Sequence, residues 1–136
     1  MITDQLLVLA DNQALTKSAP STNVVDLLQD KPTPGMSKLL YLCVIVNEAI
    51  TGTLQPILED SADNSTYTTA ASGPLMTAPA AGTIVYIPVP FETKRYLRCN
   101  WGGAPTAGKV TAHFTWDLQV NHGFAQRPAL DNQPVA

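Results

Sequence analysis

The clearest pattern in the chain is strict alternation. From Lys109 to Val120, Val110, Ala112, Phe114, Trp116, Leu118 and Val120 share one parity, and Lys109, Thr111, His113, Thr115, Asp117 and Gln119 share the other. A period of two predicts a strand with one buried and one solvated face. This register assigns Trp116 to the core and His113 and Thr115 to solvent. Arg95 to Trp101 repeats the pattern, with Leu97, Cys99 and Trp101 inward and Tyr96, Arg98 and Asn100 outward. Leu39 to Val46 is apolar on both parities and predicts a strand covered on both faces. Thr83 to Val89 is similar, except that Pro88 and Pro90 end it or place it at a sheet edge. Weaker strands are expected at Gln5 to Leu9, Asn23 to Leu28 and Thr53 to Leu58, the last holding Pro56. A short one falls near Thr66 to Ala70 or at Leu75-Met76.

The connections carry turn residues: Lys31-Pro32-Thr33-Pro34-Gly35, Asp60 to Ser65, Ser72-Gly73-Pro74 and Gly102-Gly103-Ala104-Pro105. Seven or eight short strands joined this way predict an all-β sandwich or small barrel. After Val120 the periodicity stops. Residues 121–136 hold Asn, Gln, Pro, Ala and Gly without a period, so the chain divides into a domain over 1–120 and a C-terminal arm over 121–136. Gly123 and Pro128 break either kind of regular element there. Phe124 and Leu130 are the arm's large apolar side chains, expected to dock on a neighbouring subunit with Arg127 pairing to a carboxylate between them. The alternative is an arm folded back over its own domain.

Composition narrows the function. The chain has 136 residues, the size of one domain. Charged residues make up 14% of it, against about 25% in an average soluble protein. A chain so poor in charge is expected to have part of its surface covered by other protein. With 8 basic and 11 acidic residues the net charge is −3, the wrong sign for a nucleic-acid binder. Nothing approaches the ~20 apolar residues of a membrane span. The apolar run Leu6 to Ala10 is too short for the core of an export signal. Cys43 and Cys99 both sit inside apolar runs and are expected as buried free thiols in a reducing compartment.

Candidate chemistry is sparse. Gly103 to Lys109 matches a phosphate-binding loop until Val110 stands where Ser or Thr should bind magnesium. The segment that follows reads as a strand and not as the required helix, so the loop is expected to be a glycine-rich hairpin. Neither His113 nor His122 has a nucleophile in a recognisable elbow. No cysteine pair has zinc spacing. Glu59, Asp60, Asp63 and Asn64 offer hard oxygens for calcium, but a polar turn between strands has the same composition. No cofactor and no enzymatic activity are expected. Lys94, Arg95 and Arg98 are three of the 8 basic residues, packed beside Tyr96 and Trp101. A guanidinium there can pair with a carboxylate and lie on a ring. Lys94, Arg95, Tyr96 and Arg98 are therefore expected to meet acidic groups of a protein partner or to form a plain solvated face; nucleic acid, suggested by basic residues beside aromatic ones, is the third reading, disfavoured by the small patch and the acidic chain.

Three segments carry a family resemblance: Asp4-Gln5-Leu6-Leu7-Val8-Leu9-Ala10-Asp11-Asn12-Gln13-Ala14, Ser21-Thr22-Asn23-Val24-Val25-Asp26-Leu27 and Lys94-Arg95-Tyr96-Leu97-Arg98. Over roughly residues 3–120 the chain resembles the capsid cement (decoration) proteins of short-tailed double-stranded-DNA bacteriophages of the Bordetella-phage type. The resemblance implies a jelly-roll on the outer face of an HK97-like shell. It also implies a homodimer that clamps neighbouring major capsid subunits and stabilises the virion head after assembly in the host cytoplasm. The competing expectation is a glycan-binding β-sandwich of a phage tail or receptor-binding particle. Trp101, Tyr96 and Trp116 would supply its stacking platforms, although the alternation turns Trp116 inward.

Overall fold

The computed structural model describes residues 5–34 and 40–116. A 3-10 turn at Gln5–Leu7 leads into nine strands: β1 (Val8–Ala14), β2 (Ala19–Pro20), β3 (Val25–Asp26), β4 (Tyr41–Ser61), β5 (Thr68–Ser72), β6 (Met76–Thr77), β7 (Ile84–Pro88), β8 (Tyr96–Gly102) and β9 (Pro105–Thr115). The fold is all-β, as the alternation predicts. All pairings are antiparallel, and β4 is the hub.

The strands assemble into four long ribbons. β4 runs unbroken for 21 residues. Along one edge, β8 and then β9 follow it in the opposite direction, from Ser61↔Tyr96 to Tyr41↔Thr115. Along the other edge β5, β6 and β7 return in succession, from Asp60↔Thr68 to Tyr41↔Pro88. β1, β2 and β3 line the outer edge of the β8–β9 ribbon, from Val8↔His113 to Asp26↔Tyr96. Gly103-Ala104 is therefore not a hairpin, contrary to expectation. It is a bend inside one ribbon, held to β4 where the Ala104 N–H donates to the Thr53 carbonyl at 3.1 Å.

The whole sheet is folded across its middle. β4 shifts register between Val46 and Gly52. Left-handed residues gather there: Gly52, Ala78, Gly103 and Gly108 all have positive φ. Bulges and glycines of this kind are how a sheet turns a corner. One leaf holds β1, β9, β7 and the first half of β4. The other holds β2, β3, β5, β8 and the second half of β4. The inner faces of both contribute to one core. From the first come Leu42, Val44, Val46, Val110, Ala112 and Phe114, and from the second Leu54, Leu58, Leu97, Cys99 and Trp101. The arrangement is that of a jelly-roll-like β-sandwich. Burying a large aliphatic side chain contributes about 1.5–3 kcal/mol, so this shared core holds the two leaves face to face.

Several expectations are corrected. Tyr41–Val46, the described strand part of the expected Leu39–Val46, and Thr53–Leu58 are not separate short strands but parts of β4. Gln5–Leu9 is half 3-10 turn, and the strand continues to Ala14 through polar Asp11, Asn12 and Gln13. Trp116 is 53% exposed and lies one residue past β9, which ends at Thr115; the rest of the expected strand, 117–120, lies outside the described residues. His113 and Thr115 are buried, at 2% and 6%. His113 stands in register with Val8 and Cys43, on a face covered at that level as well. Val110, Ala112 and Phe114 are inward as expected, as are Leu97, Cys99 and Trp101. β7 carries Pro88 and pairs with β4 alone, an edge position. Among the described residues no helix is long and apolar enough to cross a membrane.

Candidate functional site

The basic cluster lies where β8 begins, at the end of the molecule formed by the loops around residues 27–34, 62–67 and 89–95. Register dictates its pairs. Arg98 stands directly opposite Glu59 on β4, and its Nε donates to Glu59 Oε1 at 2.8 Å. Its guanidinium also lies over the Tyr67 ring, 3.8 Å from the centroid. Burial pushes the Tyr67 phenol above its ordinary value, with the Arg98 charge opposing the shift. The phenol hydroxyl donates to Asn64 Oδ1.

Arg95 makes a forked pair across to β3. Its Nε and Nη2 donate to the two carboxylate oxygens of Asp26 at 2.7 and 3.0 Å. That hydrogen-bonded pairing holds the Asp26 carboxyl below the usual carboxylate range and raises the guanidinium above its own ordinary value. The same guanidinium sits 5.1 Å from the centre of the Tyr96 ring. Lys94 differs. Its backbone N–H donates to Asp60 Oδ2 at 3.1 Å, and among the described residues its ammonium donates to the Thr68 hydroxyl, at 3.2 Å.

At this cluster guanidinium, carboxylate and ring are paired within the chain, through Asp26 and Glu59, whereas the expected carboxylates were those of a protein partner. Sequence reasoning left these two out. The pairs are 69 and 39 residues apart in sequence, and only the strand register brings them together. Phe124, Arg127 and Leu130, the arm residues expected to bind a partner, lie outside the described residues.

Beside the cluster is an open cleft of about 360 Å³, lined by Asp30, Lys31, Ala62, Thr93, Lys94 and Arg95. The acidic turn next to it is internally satisfied. Asp63 Oδ1 accepts from the Thr66 and Ser65 N–H groups and from the Ser61 hydroxyl, which together hold its carboxyl below the usual range. Asp60 accepts from Thr68 and Lys94, and Glu59 from Arg98. Among the described residues no three His, Cys, Asp or Glu side chains gather as metal ligands do. Cys43 and Cys99 are free and buried. Burial pushes the Cys43 thiol up to about 11 and raises Cys99 as well, so neither is poised as a thiolate nucleophile.

The chain belongs to the Bbp16 family, whose model matches residues 9–114. The family's name points to a Bordetella phage protein, and with it to a structural component of a phage. No curated protein matches the chain.

Proposed function

We propose that the chain is a structural virion protein, a cement subunit on the outer surface of a phage head. It clamps neighbouring major capsid subunits, associates as a homodimer and acts by contact rather than catalysis. The observation that carries this reading is the family match over residues 9–114. The low charge content and the large apolar side chains left exposed, Leu28, Phe91 and Trp116 among them, support it. Modest contact energy per copy adds up over a shell, because many linked contacts must be lost together.

The glycan-binding alternative loses support. Trp101 is fully buried, its indole N–H donating to Gln13 Oε1 at 3.1 Å, and one face of Tyr96 is taken by Arg95. Of the three rings that reading needs, Trp101 is closed off, Tyr96 is half-buried and Trp116 is exposed. The test is sedimentation of the purified chain with undecorated heads. Co-sedimentation, together with heads that disassemble at a higher temperature, is expected. A chain that stays in the supernatant and leaves head melting unchanged overturns the reading.

A further inference from the structure

The cleft has properties that the ion pairs around it do not use. Its two walls are loops tied side by side. The Leu27 N–H donates to the Arg95 carbonyl at 2.9 Å, and the Thr93 N–H to the Pro32 carbonyl at 3.0 Å. Each loop exposes one large apolar side chain, Leu28 at 76% and Phe91 at 60%. Each also sets a lysine on the cleft, Lys31 and Lys94. Arg95 is neutralised by Asp26. Among the described residues neither lysine has a carboxylate partner. Asp30 is the one acidic residue lining the cleft, so the lining keeps a positive excess on a chain whose net charge is −3.

The backbone points the same way. Leu28 has φ +64° and Lys31 φ +48°, a conformation that costs a residue with a side chain roughly 1–2 kcal/mol. Glycine or asparagine would hold it more easily. The core gains nothing from Leu28, whose side chain stands in solvent. The Leu28 N–H donates to Asp26 Oδ1 at 2.8 Å, which holds this strained turn in place and keeps an apolar side chain in solvent on the loop that forms one wall of the cleft.

We propose that this cleft is a docking site for an acidic segment of a protein partner. Carboxylates of that segment meet Lys31 and Lys94, and an apolar side chain beside them rests on Leu28 and Phe91. Charge complementarity selects the acidic partner, and the exposed leucine and phenylalanine select one with an apolar residue next to its acids. The inference rests on the proposed function, where the partner is the shell, and its test separates the two.

Undecorated heads are titrated with four forms of the full chain: wild type, Lys31→Glu with Lys94→Gln, Leu28→Gly, and the control Lys17→Glu on the exposed loop between β1 and β2. Melting curves confirm folding, and Leu28→Gly should melt no lower than wild type. The inference expects wild type and control to bind alike. The double variant should bind about tenfold more weakly or worse, and Leu28→Gly should lose affinity while staying folded. Equal binding by all four forms overturns the docking site and leaves the cement reading standing. If wild type fails to bind heads, the cement reading falls. The site is then decided by NMR titration of the chain with a Leu-Asp-Glu peptide, its Leu-Asn-Gln counterpart and a single-stranded oligonucleotide. Shifts at residues 28–31 and 91–95 with the acidic peptide alone support the site. No shifts there, or stronger ones with the oligonucleotide, overturn it.

Discussion

Gly52 and Ala104 meet backbone to backbone where the sheet folds: a Cβ on Gly52 would overlap the Ala104 carbonyl oxygen. Gly52 also has φ +93°. Gly52→Ala therefore meets both strain and a clash, and should destabilise the chain by about 3 kcal/mol or more. Gly82, at φ +91° with nothing within 4 Å of a new Cβ, supplies the comparison. Gly82→Ala should cost only the backbone term, about 1–2 kcal/mol. Urea melts of both variants separate conformation from contact. Equal losses would show that the close approach at the crease contributes nothing.

The two tryptophans should behave oppositely. Trp101→Ala opens the core and removes one of the two donors to Gln13 Oε1, an expected loss of about 3–5 kcal/mol. Trp116→Ala removes an exposed ring and should fall within about 0.5 kcal/mol of wild type. Thermal denaturation checks this, and a large loss at Trp116 would restore the inward register that the alternation predicts.

Arg98 and Glu59 should be coupled, not merely adjacent. Both side chains are well covered, at 26% and 13% exposure, and the Tyr67 ring closes one side of the guanidinium. A double-mutant cycle of Arg98→Ala and Glu59→Ala should give a coupling of about 1 kcal/mol. Arg98→Lys should recover little of it, because an ammonium cannot hold both the carboxylate and the ring in one plane. A coupling near zero would reduce the pair to a surface contact.

Acid should weaken the fold in a defined window. Burial pushes His113 below the ordinary histidine value of 6.5. As pH falls through 6.5 the unfolded chain takes up a proton that the folded chain resists. The stability present above that value is therefore lost progressively below it. Asp26 and Asp63, lowered from 3.8, act only in stronger acid. Urea midpoints should thus fall between pH 6.5 and 5, and His113→Gln should flatten that slope. An unchanged slope in the variant would remove His113 as its source.

Alternation read the interior well where a strand had one wet face. Leu97, Cys99, Trp101, Val110, Ala112 and Phe114 are all inward. It failed at Trp116, one residue past β9, and where the outer face was covered too, as at His113. It also split β4, because Asn47, Glu48, Thr51 and Gly52 look like a loop between two strands. Ladder pairing with β9, a series of bulges, and backbone bonds from Ile50 to Pro79 and from Ala78 to Gly52 carry the strand through that polar stretch. The basic residues of the site were visible as a run, but Asp26, Glu59 and Tyr67 were not. Their relation to Arg95 and Arg98 exists only once the register is set. Lys31 looked like a turn residue, and only the neighbouring loop gives it a cleft.

The continuity of β4 has a mechanical meaning. A sandwich made of two separate sheets can part along its core, since only side chains cross between the leaves. Here one covalent strand belongs to both leaves, and ribbons of hydrogen bonds flank it along nearly its whole length. Tension applied along that strand loads those bonds side by side, in shear. They must then fail together, whereas a force that peels an edge strand breaks them one after another. A chain built this way is stiff in one direction and soft in the other, so the angle at which it is pulled decides how much force it withstands.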